Sequence, residues 1–358
     1  MSEHSPVSPV LHVDLGAIVE NYQKLRGVAP GRCGAVVKAD AYGLGMIPVA
    51  KNLMSAGCTD FFVATPSEGK VLREAAPDAV IYVFQGLLQG TEHVYREARL
   101  NPVINTQEEL RRWASASPPR GAALHFDTGI NRLGISTEEI AEIAIAPDIL
   151  EMAGVSILMT HMACADDPDN PANTAQLRKF NTVSSRFPNL ETSIGNCAAL
   201  LAAPEFAGDL ARPGIGLYGG NPFSTRDNPM APVVRLTAPI IQMRDLSAGE
   251  RIGYGGAFAA EKDMRIATVS IGYADGVRRA VAGKGAVMAN DERAPILGRI
   301  SMDSIVIDVT GAAFDGLVVG DEVELIGDIS VDEVAAWADT IPYEILTGIG
   351  PRVLRQYS

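Results

Sequence analysis

The chain has little cysteine, four in 358 residues, and none of Cys33, Cys58, Cys164 and Cys197 forms a C-x-x-C pair. Such spacing supplies neither a disulfide framework nor a zinc motif, and the five histidines show no metal spacing near the cysteines. No metal is expected. A Lys/Arg-rich block is also missing: 30 basic residues stand against 43 acidic ones, for a formal net charge of −13. That balance disfavours a nucleic-acid partner and favours a small molecule. No apolar run is long enough to be an uninterrupted membrane span, and Met1 to Pro9 is polar and proline-containing, without a signal peptide's apolar core. A soluble cytoplasmic protein with no membrane partner is expected. What is present, 47% hydrophobic and 20% charged residues, is ordinary globular composition, and the length suits a barrel-sized domain plus a smaller one.

From Leu11 to Gly220 strands and helices alternate. After a short strand at Leu11 to Val13, the stretch Leu15 to Arg26 puts Leu15, Ile18, Tyr22 and Leu25 on one helical face, and Gly27 stops it. Candidate strands follow at Gly34 to Lys38, Phe61 to Ala64, Val80 to Phe84, Pro102 to Asn105, Ala122 to Phe126, Gly154 to Met159, Glu191 to Ile194 and Leu210 to Leu217. Helical stretches separate them around Ile47 to Ala56, Ser67 to Ala75, Thr91 to Ala98, Gln107 to Ala116, Thr137 to Ala146, Thr174 to Arg186 and Ala198 to Ala203. Eight apolar strands alternating with helices predict an α/β fold, a (β/α)8 TIM-type barrel. A doubly wound open sheet is the competing architecture, and no G-x-G-x-x-G follows the first strand to support it.

Active sites of such barrels gather at the C-terminal ends of strands. The unusual polar residues fall there. Lys38 and Tyr42 follow the first strand, Asp127 to Arg132 the fifth, His161 the sixth, Asn196 and Cys197 the seventh, and Arg212 to Gly216 lie in the eighth. Singly each has a bland alternative, as a core histidine, a surface arginine or turn glycines; placement on one rim is what those alternatives leave unexplained. Beyond Gly220, the proline-rich segment Asn221 to Pro232 reads as a linker. Short strands then follow at Val233 to Leu236, Met264 to Ile271, Ser304 to Val309 and Glu322 to Ile326, with one clear helix at Val331 to Asp339. The expected division is a barrel over 1–225 and a β-rich C-terminal domain over 226–358.

Lys38 alone would read as the solvated end of a buried strand, but Tyr42, Gly43 and Gly45 add a tight polar turn carrying a phenol. The string VKADAYG from Val37 resembles the cofactor-lysine signature of alanine racemases, fold-type III pyridoxal 5′-phosphate enzymes. GYGG around Tyr254, IGYADG around Tyr273 and GRISMD around Met302 resemble later segments of that family, in the same order. The resemblance implies that Lys38 holds the cofactor covalently, that Tyr42, Asn196, Cys197, Gly214 and Ile215 serve its phosphate, and that Arg212 faces the pyridine nitrogen. It further implies that His161 links Arg212 toward Tyr254, that Arg132, Tyr273 and Met302 bind substrate, and that Lys38 and Tyr254 are the two bases. In the family the matching tyrosine and methionine come from the other subunit, so a homodimer is implied. Racemisation requires bases on opposite faces of the α-carbon, which suits an amine and a phenol.

Some positions depart from the family pattern. His125 stands where many members carry a carbamylated lysine that orients the arginine matching Arg132. Cys197 replaces a common serine, Pro351 a phosphate-binding tyrosine and Leu44 a frequent histidine. The implied activity is alanine racemisation supplying D-alanine for peptidoglycan. A serine or broader-specificity racemase, or a non-catalytic pyridoxal-phosphate-binding protein, is the alternative. A fold-type III decarboxylase would carry a C-terminal catalytic cysteine, and none occurs after Cys197.

Overall fold

A computed structural model of the chain describes residues 8–116, 121–146 and 148–358, so most of the polar segment Met1 to Pro9 lies outside the described residues. Two compact units emerge, one over Ile18–Ala231 and one combining the stretch up to Ala17 with Pro232–Ser358. The division therefore differs from the expected 1–225 and 226–358. Val10–Val13 is the reason: it does not open the barrel but hydrogen-bonds into the sheet of the second unit.

In the first unit, seven strands lie in chain order, all parallel: Ala35–Val36, Asp60–Val63, Val80–Val83, Asn101–Ile104, Ala122–His125, Val155–Met159 and Glu191–Ser193. Phe61, Phe62 and Val63, like Ala122, Ala123 and Leu124, are buried on both faces, as strands covered by helices must be. The eighth strand, Leu210–Ala211, pairs in parallel with Arg32–Cys33 on the entry side of the first. Gly34 N–H then donates to the Ala211 carbonyl and Val36 N–H to that of Pro213, so the eighth strand closes on the first. It is far shorter than the predicted Leu210 to Leu217. From Ile215 to Tyr218 the chain turns into a 3₁₀ helix ended by Gly219 at φ 80°. Likewise the first strand stops at Val36, before Lys38.

Helix starts follow local chemistry. Thr65 with Glu68, and Ser136 with Glu139, form capping boxes. Pro171–Ser184 begins three residues before the predicted Thr174, because Asn170 caps it and Pro171 fits the first helical position.

The second unit holds an eight-stranded sheet, ordered Met264–Val269, Ile305–Asp308, Glu292–Leu297, Ala286–Ala289, Glu322–Ile326, Val234–Leu246, Val10–Val13 and Leu354–Tyr357. The strand predicted as Val233 to Leu236 runs thirteen residues, and beyond an irregularity between Ile240 and Gln242 it pairs back onto Met264–Val269, closing a ring. A second helix, Pro342–Thr347, accompanies Val331–Trp337. Among the described residues no helix is long and apolar enough to cross a membrane.

Candidate active site

Lys38 leaves the first barrel strand on an unusual backbone. Ala39, Asp40, Ala41 and Tyr42 all have φ between 52° and 58°, one turn of left-handed helix without a glycine. Such a conformation costs ~1–2 kcal/mol per residue, so its surroundings must hold it. Gly43 N–H donates to the Ala39 carbonyl and Gly45 N–H to that of Asp40, while the Asp40 carboxylate accepts from Met46 N–H at 2.7 Å. Glu68, from the neighbouring helix, accepts from Ala39 N–H at 2.8 Å. The amine this turn presents is half-buried, 5.6 Å from the Phe84 ring centroid, and donates to no acceptor among the described residues. Burial, then the Arg132 charge, hold the Lys38 pKa below the usual lysine range, against a weaker pull from Glu68. A depressed amine is easier to use as a nucleophile and base.

The same turn buries Tyr42 against Tyr218, with ring centroids 4.6 Å apart, and Tyr218 Oη donates to the Val36 carbonyl at 2.7 Å. A Cβ on Gly214 would lie 2.3 Å from Tyr42 Oη, so only glycine lets the phenol approach that backbone. Cys197 Sγ accepts from the N–H groups of Gly214 at 3.1 Å and Gly216 at 3.3 Å, and burial pushes its thiol up to about 11. Gly214 N–H is therefore already used within the protein. The N–H groups of Ile215 and Ala198 have no acceptor among the described residues. Asn196 caps the short helix Cys197–Ala202, its Oδ1 accepting from Ala199 N–H. Two unpartnered amides beside a buried phenol fit an anionic oxygen cluster such as a phosphate.

Arg212 is buried at 3% exposure, with no ion-pair partner among the described residues. It donates to Ser193 Oγ and to the carbonyls of Thr160 and Ile194 at 2.7 and 3.1 Å. Those bonds leave its Nε–H and one Nη1 proton for a ligand. Burial lowers its pKa to about 9, and the three acceptors hold it as a cation at neutral pH. His161 follows Thr160; desolvation, then the Arg212 and Arg132 charges, push its pKa down and keep the imidazole neutral.

Arg132 sits on a loop organised by Asp127, whose carboxylate accepts from the N–H groups of Gly129, Ile130 and Asn131 at 2.9–3.0 Å. Its exposed guanidinium makes no hydrogen bond or ion pair among the described residues. His125 makes none with Arg132; its Nδ1 meets Asn105 Oδ1 at 2.8 Å. Asn105 Nδ2 donates to the Val103 carbonyl, so Oδ1 is the acceptor and His125 Nδ1 carries the proton. Burial, then the Arg212 charge, lower the His125 pKa to about 4. Leu44 is fully buried and Pro351 exposed.

Three predicted residues lie in the second unit. Tyr254 opens a 3₁₀ turn, with Gly253, Gly255 and Gly256 at positive φ, and is 72% exposed; Met302 is 55% and Tyr273 43% exposed. Tyr273 N–H donates to the Ser301 carbonyl and Ala274 N–H to that of Met302, so these two loops form one layer. Sequence reasoning missed Thr128, Thr160, Gln176, Ser193 and Asn105, which carry the buried hydrogen bonds behind the site. Thr128, Thr160, Ser193 and Asn105 lie at or just after strand ends, the one signal the sequence offered; Gln176, on a helix, had none.

Residues 13–222 match the family described as alanine racemase, N-terminal domain, and residues 233–357 match alanine racemase, C-terminal domain. An alanine racemase of Acidiphilium cryptum is 43% identical, over 97% of this chain and 98% of its own. A catabolic alanine racemase of Agrobacterium fabrum is 41% identical, over 97% and 91%. The crystal structure of alanine racemase from Bartonella henselae with covalently bound pyridoxal phosphate superposes with a TM-score of 0.94 at 36% identity, covering 99% of this chain and all of that one.

Proposed function

This chain belongs to the alanine racemase family, and we propose that it interconverts L- and D-alanine with Lys38 and Tyr254 as the two bases, its D-alanine serving peptidoglycan. It is an isomerase, and its cofactor is pyridoxal 5′-phosphate. When bound, that group draws electrons from the amino acid's α-carbon and makes the α-proton removable. The observation that carries the reading is the Lys38 amine, half-buried, lowered in pKa and without an acceptor among the described residues, held by a left-handed turn at the mouth of the first barrel strand.

The chain's residues divide the work. Tyr42 Oη and the amides of Ile215 and Ala198 hold the phosphate. Arg212 would offer its remaining protons to the pyridine nitrogen; held as a cation at neutral pH by its three acceptors, it would donate a hydrogen bond without surrendering the proton. That contact would limit the group's electron withdrawal and so disfavour transamination. Arg132, without a partner among the described residues, takes the substrate carboxylate. Lys38 Nζ moves the proton on one face. Tyr254 of a second copy moves it on the other, with Met302 and Tyr273 shaping the pocket; the exposure of all three supports this homodimer.

The test is direct. Purified protein should racemise both alanine enantiomers, and borohydride reduction followed by peptide mapping should label Lys38. Label on Lys51 or Lys70 instead would remove the assignment.

A further inference from the structure

We propose that Gln176 is a positioning residue for racemisation, its side-chain amide locking the loop that carries Arg132 to the strand end that carries His161 and supports Arg212. This rests on the racemase reading and adds a residue to it. Gln176 comes from the helix Pro171–Ser184, at 5% exposure. Its Oε1 accepts from Ala163 N–H at 2.9 Å, while Nε2 donates to the His161 carbonyl at 3.1 Å and to Thr128 Oγ1 at 2.9 Å. The backbone partners have fixed roles, one donor and one acceptor, so the amide has a single orientation and both Nε2 protons are used.

From that orientation the rest follows. Thr128 Oγ1, having accepted from Gln176, shares a further hydrogen bond with Thr160 Oγ1 at 2.9 Å, and the Thr160 carbonyl accepts from Arg212 Nη2 at 2.7 Å. Thr128 is 6% and Thr160 0% exposed, so water does not substitute cheaply for these bonds. Thr128 belongs to the loop that Asp127 folds and that ends on Arg132. One side chain thus fixes the distance between the cation offered to the substrate carboxylate and the arm behind Arg212. Small displacements of a substrate clamp are costly in rate, so such a tie has functional weight.

Gln176→Met keeps the volume and removes all three bonds; Thr128→Val keeps the shape and removes the hydroxyl; Thr128→Ser keeps the hydroxyl. In the cofactor-loaded enzyme, Gln176→Met and Thr128→Val should each raise the alanine KM about tenfold with a smaller change in kcat, and weaken inhibition by propionate in parallel. Thr128→Ser should stay within about twofold of wild type, and the Gln176→Met/Thr128→Val double variant should fall well short of the product of the singles. Should Gln176→Met fail to fold, the Thr128 pair decides. Lowered thermal stability with wild-type KM and propionate inhibition in both Gln176→Met and Thr128→Val, or in Thr128→Val if only it folds, would overturn the proposal. A wild-type protein inactive on alanine would instead overturn the racemase reading itself.

Discussion

At the scale of single residues, His125 is a buried imidazole behind the candidate site. Its pKa lies near 4 in the folded protein, against ~6.5 for an unfolded histidine, so between those values the unfolded chain binds the proton and the folded one does not. Stability contributed by neutral His125 is fully present above about pH 6.5 and lost as pH falls toward about 4, up to ~3 kcal/mol. His125→Gln should flatten that acid limb when urea unfolding is followed against pH, although His161 titrates in the same sense. If neutral His125 also sets the field at Arg132, the same variant should raise the alanine KM and leave cofactor content unchanged. A wild-type KM would show that Arg132 is placed without it. Residue types were the most legible part of the site: Lys38, Tyr42, Arg132, His161 and Arg212 all sit at the strand ends where the sequence put them. Their supports were not, because Gln176 on a helix or Asn105 after a strand looks like any polar surface residue until burial is known.

Between elements, the tightest approach is that of the left-handed turn to the segment after the eighth strand. Gly214→Ala tests the space between that segment and the turn. Its methyl would meet Tyr42 Oη, and stacking on Tyr218 leaves that ring little room to yield. The expected result is a loss of about tenfold or more in pyridoxal-phosphate affinity, ~1.4 kcal/mol, read by absorbance titration. Adding Tyr42→Phe removes the colliding oxygen, so the double variant should bind no worse than Tyr42→Phe alone. Independent losses would mean that Gly214 matters for another reason. Barrel strands were legible because each is a short apolar run between helices. The hairpin Ala286–Ala289 to Glu292–Leu297 was overlooked, although Asn290 and Asp291, both at positive φ, are the residue types a tight two-residue turn selects. Left-handed Ala39 and Ala41 had no signal at all, since nothing in alanine announces positive φ.

For the whole molecule, the proposed homodimer makes a quantitative claim. Lys38→Ala and Tyr254→Phe homodimers should each be nearly inactive, yet random exchange between them should restore about one quarter of wild-type activity, because half the dimers carry one intact site. Demonstrated exchange without recovery would put both bases in one chain. The two-unit division was legible, but not the membership of Val10–Val13, since a strand followed at once by a helix reads as the first step of the barrel. That strand has a further meaning for how the protein is made. Its partners, Val234–Leu246 and Leu354–Tyr357, are synthesised only after the entire barrel has been. During that interval the barrel has its full set of strands and is free to fold, while an apolar Val-Leu-His-Val edge stays unpaired, open to the wrong neighbour. A truncated chain ending before residue 234 and released from the ribosome should therefore hold a protease-resistant barrel behind a protease-sensitive leading segment, and removing that segment should make the isolated barrel less prone to aggregate.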